Sequence, residues 1–363
     1  MHITRVTAST HNVPVDVPLL KEPAHRPIVF VAIETDVGIA GYGLTAGGQR
    51  AAIKESINQE LGPSLIGKNP LETERIWNQL MRGFNPRAQT GVWSSAVSGI
   101  DIALWDIKGK HYREPVWRLL GGAQNPVPAY ITFGLLEYEQ DQLVAMAKRW
   151  TGEGHDKLKM VVAADRGENP RKDYARAKAV RDAVGEGVEL MMDANYLFSL
   201  NRALELCRLA EPLGITWLEE PVYQNDARLL AQLRQRTAVP ISAGQNEGHR
   251  FRHRELLVNG AVDILQPNVC YVGGYTEGAK VAAMAQGFNI PIANGGGWPH
   301  HNMHLQAGMA NGWRVEFHYL MWKVGETIYK DPPKPDKGWV TLSEEPGLGL
   351  EPRFDALKEC EER

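Results

Sequence analysis

Five side chains of this sequence have types suited to ionic chemistry and stand at telling intervals. Asp193 in MMDAN and Glu219 in WLEEP are 26 residues apart, and Gln245 in SAGQNE follows after 26 more. Lys157 and Lys159, in KLKM, precede them. An interval of that size is one strand–helix unit, so the three oxygen-bearing residues fall on adjacent strands at one height. Hard cations such as Mg²⁺ want oxygen donors gathered in this way, and they accept an amide oxygen as well as a carboxylate. Gln245 brings no negative charge, and Glu247, two residues on, competes for the third position. Asn246-Glu247-Gly248 reads as a turn. The expectation is therefore Gln245 as third ligand and Glu247 farther out, near a substrate.

Such side chains need elements to carry them. Residues 28–35 (IVFVAIET) alternate and lean β-branched, and DVGIAGYG follows like a hairpin turn. SAVSGIDIALWDIKGKHY has apolar residues at helical spacing. LLGGAQNP then breaks the chain, with Gly121 and Gly122 as a helix stop and Pro126 beyond. After this break, short apolar strands alternate with amphipathic stretches: VPAYITF, LKM, VELMMD, ITWLE, VPISA, VDILQ, IPIAN and WRVEF. Eight evenly spaced units predict an α/β fold, a closed (β/α)-barrel of the TIM type, in preference to an open doubly wound sheet. In such a barrel the functional groups sit where strands end, on the C-terminal face. Residues 1–125 form an α+β capping domain, 126–324 the barrel, and 325–363 a tail returning to the cap.

KxK, DxN, EEP and an AG-acid strand in this order and spacing resemble the mandelate racemase subgroup of the enolase superfamily. SGIDIALWDIKGK and PGLGLE are similar to that family's cap and C-terminal segment, so the resemblance covers the whole chain. It implies Mg²⁺ as cofactor and abstraction of the proton next to a substrate carboxylate, with the metal stabilising the enediolate. By resemblance Lys159 is the base and Lys157 its companion. A second cation nearby lowers a lysine's pKa, and side chains two apart on a strand share a face, so both lysines are expected in the barrel mouth. Asn195 is expected to line the site. Glu316, ending the eighth strand, matches a position that meets the substrate carboxylate. Glu220 faces away, as a structural contact. Lys21, His25 and Arg26, in LLKEPAHRP, match the family's substrate-selecting cap loop.

The chain also departs from the family pattern. Strand six reads LQPNVCYVGG, with Asn268 where an Asp or Lys is usual, and strand seven has glycine where a His is expected. With that dyad gone, dehydration or one-base chemistry is favoured over two-base racemisation. His300 and His301, after Pro299, are candidates for the acid, and Trp298 for a pocket wall. The expected activity is that of an acid-sugar (aldonate or aldarate) dehydratase. An epimerase, racemase or cycloisomerase acting on a related carboxylate is the alternative, and a ligand-binding relative without turnover is a third reading.

Composition agrees with these expectations. Forty Lys plus Arg against 43 Asp plus Glu leave no basic excess for a nucleic-acid partner. No apolar run approaches the roughly 20 residues that span a bilayer. MHITRVTAST lacks the features of a signal peptide. Three scattered cysteines, Cys207, Cys270 and Cys360, fit a reducing, cytoplasmic compartment. The expected partner is a small-molecule carboxylate, bound by a homo-oligomer.

Overall fold

The structure is a computed structural model describing residues 1–83 and 90–362. It opens with an antiparallel sheet of β1 (Ile3–Val15), β2 (Ala24–Thr35) and β3 (Ala40–Ala46), in the order 1-2-3. The expected hairpin is β2–β3; β1, whose TRVTASTHN stretch alternates little in hydrophobicity, was not read from the sequence. Helix Val92–Tyr112 lies against this sheet so closely that glycine is required at the crossing. A Cβ on Gly43 would stand 2.0 Å from Gly99 O, and one on Gly41 would stand 2.1 Å from Ala103 O.

Eight parallel strands follow: β4 (Val127–Gly134), β5 (Lys157–Val161), β6 (Glu189–Asp193), β7 (Ile215–Glu219), β8 (Ile241–Ala243), β9 (Ile264–Leu265), β10 (Ile292–Ala293) and β11 (Gly312–His318). Each pairs with the next and β11 pairs with β4, so the sheet closes into the expected barrel. Both faces of these strands are buried, which is why they read as near-continuous apolar runs. The barrel's lower interior is plugged by Tyr130, Met191, Trp217, Ile264 and Ala293, with Trp313 packed against them. Beneath the plug Arg314 lies over the Trp313 ring and pairs with Glu189 at 2.5 Å.

The cap is fixed to the barrel by polar contacts as well as apolar ones. Asp101, buried in helix Val92–Tyr112, accepts hydrogen bonds from Thr276 Oγ1 (2.6 Å) and the Thr276 N–H (2.9 Å). The tail touches both parts. Strand Trp339–Val340 pairs antiparallel with the start of β4, and Glu362 N–H donates to Thr10 O of the cap. No helix among the described residues is long and apolar enough to cross a membrane.

Candidate active site

Register sets the height of each side chain. Val161, Asp193 and Glu219 are successive partners across β5, β6 and β7, so the two carboxylates end their strands side by side at the C-terminal mouth. Lys159 stands two residues lower on β5, on the same face, and its Nζ reaches up into the carboxylates. It lies 2.6 Å from Glu219 Oε1, 2.8 Å from Glu316 Oε1 and 3.0 Å from Asp193 Oδ2. Lys159, Glu219 and Glu316 are wholly inaccessible to solvent. The carboxylates are held in turn. Glu316 accepts from Thr132 Oγ1 (2.5 Å) and Gly297 N–H (2.6 Å). Glu219 Oε2 accepts from Trp217 Nε1 (3.1 Å) and Gln266 Nε2 (2.8 Å), and Asp193 Oδ1 accepts from Asn195 N–H (3.1 Å).

Lys157 is not in this cluster. The strand begins at Lys157, rather than ending near it, so this lysine sits at the opposite rim of the barrel. There it pairs with Asp156 at 2.7 Å and lies 5.8 Å from the Trp339 ring centroid. The apolar Val161 stands on β5 at the height where a companion lysine was expected. The argument for a lowered Lys159 pKa therefore fails. Burial alone would pull the ammonium down, but Asp193, Glu219 and Glu316 together hold it well above the ordinary lysine value. Its surroundings enforce the charged form. Burial and then repulsion from Asp193 push Glu219 well above the usual carboxylate range.

Three carboxylates around one ammonium leave negative charge in a dry interior, which calls for a further cation. The available donors fit one. Among the described residues no group of three His, Cys, Asp or Glu side chains could hold a metal ion alone, so a third donor has to be of another type. Gln245 supplies it. Its Nε2 donates to Glu220 Oε2 (2.5 Å), which leaves Oε1 buried without a partner. That oxygen faces Gly295, where an added Cβ would meet it at 3.0 Å and Gln266 Nε2 at 2.9 Å. The same crowding explains why no histidine fits at that point of strand seven. Asp193, Glu219 and the free oxygen of Gln245 form a donor set of the kind a hard cation such as Mg²⁺ accepts.

The remaining sequence candidates divide by location. Glu247 pairs with Arg252 at 2.9 Å and, with Asn195, Tyr196 and Tyr223, lines a cavity of about 600 Å³ at the rim. Glu220 is buried away from the cluster, bound to Asn225 and Gln245, and burial pushes it up to about 7. Asn268 is a structural knot: its Nδ2 donates to Gly295 O, and its Oδ1 accepts from Cys270 N–H and Asn302 Nδ2. Trp298 is buried with its Nε1 donating to Tyr271 OH. Lys21, exposed on the cap loop, and His25, exposed at the start of β2, lie outside the cluster. Arg26, half-buried beside them, lies within electrostatic reach of His318 on the barrel.

His300 and His301 are not at the mouth. They open helix Pro299–Gly308 and point into its packing against the tail, His300 Nε2 donating to Pro333 O and His301 Nε2 bonding Tyr329 OH. Proline at the first turn and the glycine run before it start the helix there and turn both rings outward from the barrel axis. Burial pushes them down to about 4 and about 3. Each stays neutral in the fold while the unfolded chain's imidazole protonates near 6.5. The stability this permits is complete above about 6.5 and is lost as pH falls toward the folded values. His300→Gln is expected to remove part of this acid lability, on the order of 3 kcal/mol at pH 4, with turnover retained. Urea unfolding at pH 4 and pH 7 would check it, and an unchanged difference between the two would refute it.

One residue escaped the sequence reading. His318 ends β11 two residues after Glu316, on the same face; the VEFH alternation carried that signal once the strand's true end was known.

Comparison with known proteins agrees with this fold. Residues 2–121 match the mandelate racemase / muconate lactonizing enzyme N-terminal domain, and residues 142–356 match the enolase C-terminal domain-like family. The chain is 32% identical to arabinonate dehydratase of Saccharolobus solfataricus over 354 residues, 94% of this chain and 92% of that one. It is 33% identical to D-galactarolactone cycloisomerase of Agrobacterium fabrum over 356 residues, 92% and 91% of the two chains. A racemase from Streptomyces coelicolor A3(2), solved with bound magnesium, superposes with a TM-score of 0.91 at 26% identity, over 99% of this chain and 100% of that one. A cap and a barrel that each match, joined in this order around acidic strand ends, make the chain a member of the mandelate racemase and muconate lactonizing enzyme group of the enolase superfamily.

Proposed function

We propose that the protein is a Mg²⁺-dependent acid-sugar dehydratase, removing the proton α to the carboxylate of an aldonate or aldarate before water is lost. The observation that carries this reading is the cluster of Asp193, Glu219 and Glu316 around Lys159, with the unpartnered Gln245 oxygen beside it. When bound, Mg²⁺ supplies positive charge against the substrate carboxylate and the enediolate. Asp193, Glu219 and Gln245 hold that cation. Lys159, kept charged by its neighbours, adds fixed positive charge where the negative charge develops, which is worth most in a dry site. Glu316, braced by Thr132 and Gly297, orients the acid, and Asn195 and Glu247 line the space for the polyol chain. The arabinonate dehydratase likeness supports loss of water. The galactarolactone cycloisomerase likeness supports a second reading, in which a ring oxygen leaves in place of a hydroxyl after the same proton step. We further propose a cytoplasmic homo-oligomer.

The test is a panel of mono- and diacid sugars and their lactones, incubated with Mg²⁺ and assayed for 2-keto acid. At least one acid is expected to be dehydrated, with turnover abolished by excess EDTA. Full turnover in EDTA, or a ring-opened lactone product without any 2-keto acid from the free acids, would count against the dehydratase reading.

A further inference from the structure

We propose that His318 is the proton-transfer residue of this site, an imidazole that takes the α-proton of the hydroxy-acid substrate and returns it to the departing β-hydroxyl. The inference rests on the α-proton chemistry argued above and names the group that performs it.

The case begins with β11. Arg314, Glu316 and His318 alternate, so they share one face. Glu316 on that face touches Lys159 and Thr132 inside the barrel, which places His318 on the interior face at the strand's open end. Register then locates it beside the ionic cluster. Thr132 of β4 is the partner of His318 on one side and of Lys159 on the other. Neighbouring strands lie about 4.8 Å apart, so the His318 and Lys159 backbones flank a gap of about 10 Å. His318 is half-buried as a residue, and its Nδ1 is buried with no hydrogen-bond partner. A nitrogen in that state can accept a proton without breaking a native bond.

Several competing groups are engaged or placed elsewhere. Lys159 Nζ donates to Glu219 Oε1 and forms ion pairs with Asp193 and Glu316 at 3.0 and 2.8 Å, so its ammonium is engaged on three sides. Val161 carries no proton. His300 and His301 face the tail. His249 packs on Trp77 and Phe251, and His253 bonds the His249 and Gly244 carbonyls. The charged groups facing His318 are Glu316 on its own strand, Lys159 on β5, Asp193 on β6 and Arg26 on β2. Burial is the largest influence on the ring and, with Lys159 and Arg26, lowers its pKa against the two carboxylates, favouring the neutral imidazole.

The step balances within the substrate. Neutral His318 removes the α-hydrogen as a proton, and the C–H electron pair becomes the enediolate. That pair then forms the α,β double bond as the β C–O bond breaks, and the imidazolium gives its proton to the leaving oxygen. Water and an enol result; the enol becomes the 2-keto acid, and His318 ends neutral.

The experiment follows an acid that the wild type dehydrates in D₂O. His318→Gln and His318→Asn are expected to lose both α-proton exchange and water loss by at least about 10²-fold. Melting temperature and Mg²⁺ affinity should hold, and free imidazole should restore part of the rate in His318→Gly. Exchange at the wild-type rate in folded His318→Gln overturns the assignment and hands the base role to Lys159. Lost elimination with retained exchange overturns it too, since His318 would then be the acid alone. A wild type that neither exchanges nor dehydrates any acid of the panel refutes the dehydratase reading itself, and this assignment with it.

Discussion

Glu219→Gln is expected to lower kcat on the order of 10²–10³-fold, the cost of removing one preorganised electrostatic contact from a dry site. The substitution is nearly isosteric, so the argument turns on hydrogen-bond direction. Glu219 accepts from three donors: Lys159 Nζ, Trp217 Nε1 and Gln266 Nε2. A carboxylate has acceptor capacity for all of them, whereas an amide turns its own N–H₂ toward at least one. That donor is then buried unpaired, at a cost of about 1–3 kcal/mol. The same change halves the anionic charge available to Mg²⁺ from Asp193 and Glu219. Mg²⁺ titration by calorimetry should show weaker binding in step with the loss of turnover. Wild-type affinity and kcat in a folded variant would show that the cation is held elsewhere.

Lys159→Met carries the second large effect, and it falls on stability. Methionine fills much of the same space, but three carboxylates lose the buried ammonium that pairs with all of them. Breaking a buried ionic cluster by removing one partner costs about 3–5 kcal/mol, because the remaining charge is left uncompensated. The loss should shrink at acid pH, as the carboxylates take up protons. It should shrink again with Mg²⁺ at neutral pH, because the carboxylates freed from the ammonium bind the cation more tightly in the variant and so gain more from it than the wild type does. Denaturant unfolding with and without Mg²⁺ measures both. If Lys159→Met is as stable as the wild type in EDTA at pH 8, the cluster does not carry the charge described here.

The sequence made the ring of strands legible because parallel barrel strands are buried on both faces and read as short apolar runs at even intervals. The 26-residue spacing of Asp193, Glu219 and Gln245 survived for the same reason, since each falls at or just past a strand end. KLKM was misjudged by a few residues. KLKMV is apolar at alternate positions and ambiguous at its boundaries, and the extra residues to Val161 move both lysines down, one of them to the far rim. The error over His300 and His301 was one of direction, because a histidine pair after a glycine turn reads the same whether its helix faces the axis or the tail. His318 was hidden by a strand read as ending at Phe317.

The aromatic floor beneath the ions gives the barrel the topology of a blind well. Among the described residues, Tyr130, Trp217 and Trp313 pack edge to face or tilted beneath the ions, with the Arg314–Glu189 pair below them. With that floor in place, the approach to the ions lies at the strand ends, on the side where Arg26 acts on His318. In a site approached from one side, Asp193 and Glu219 would hold a small cation deeper than the bulky acid, so the cation would be expected to bind first. The same geometry would make water released at the β-carbon leave on the side from which the acid came.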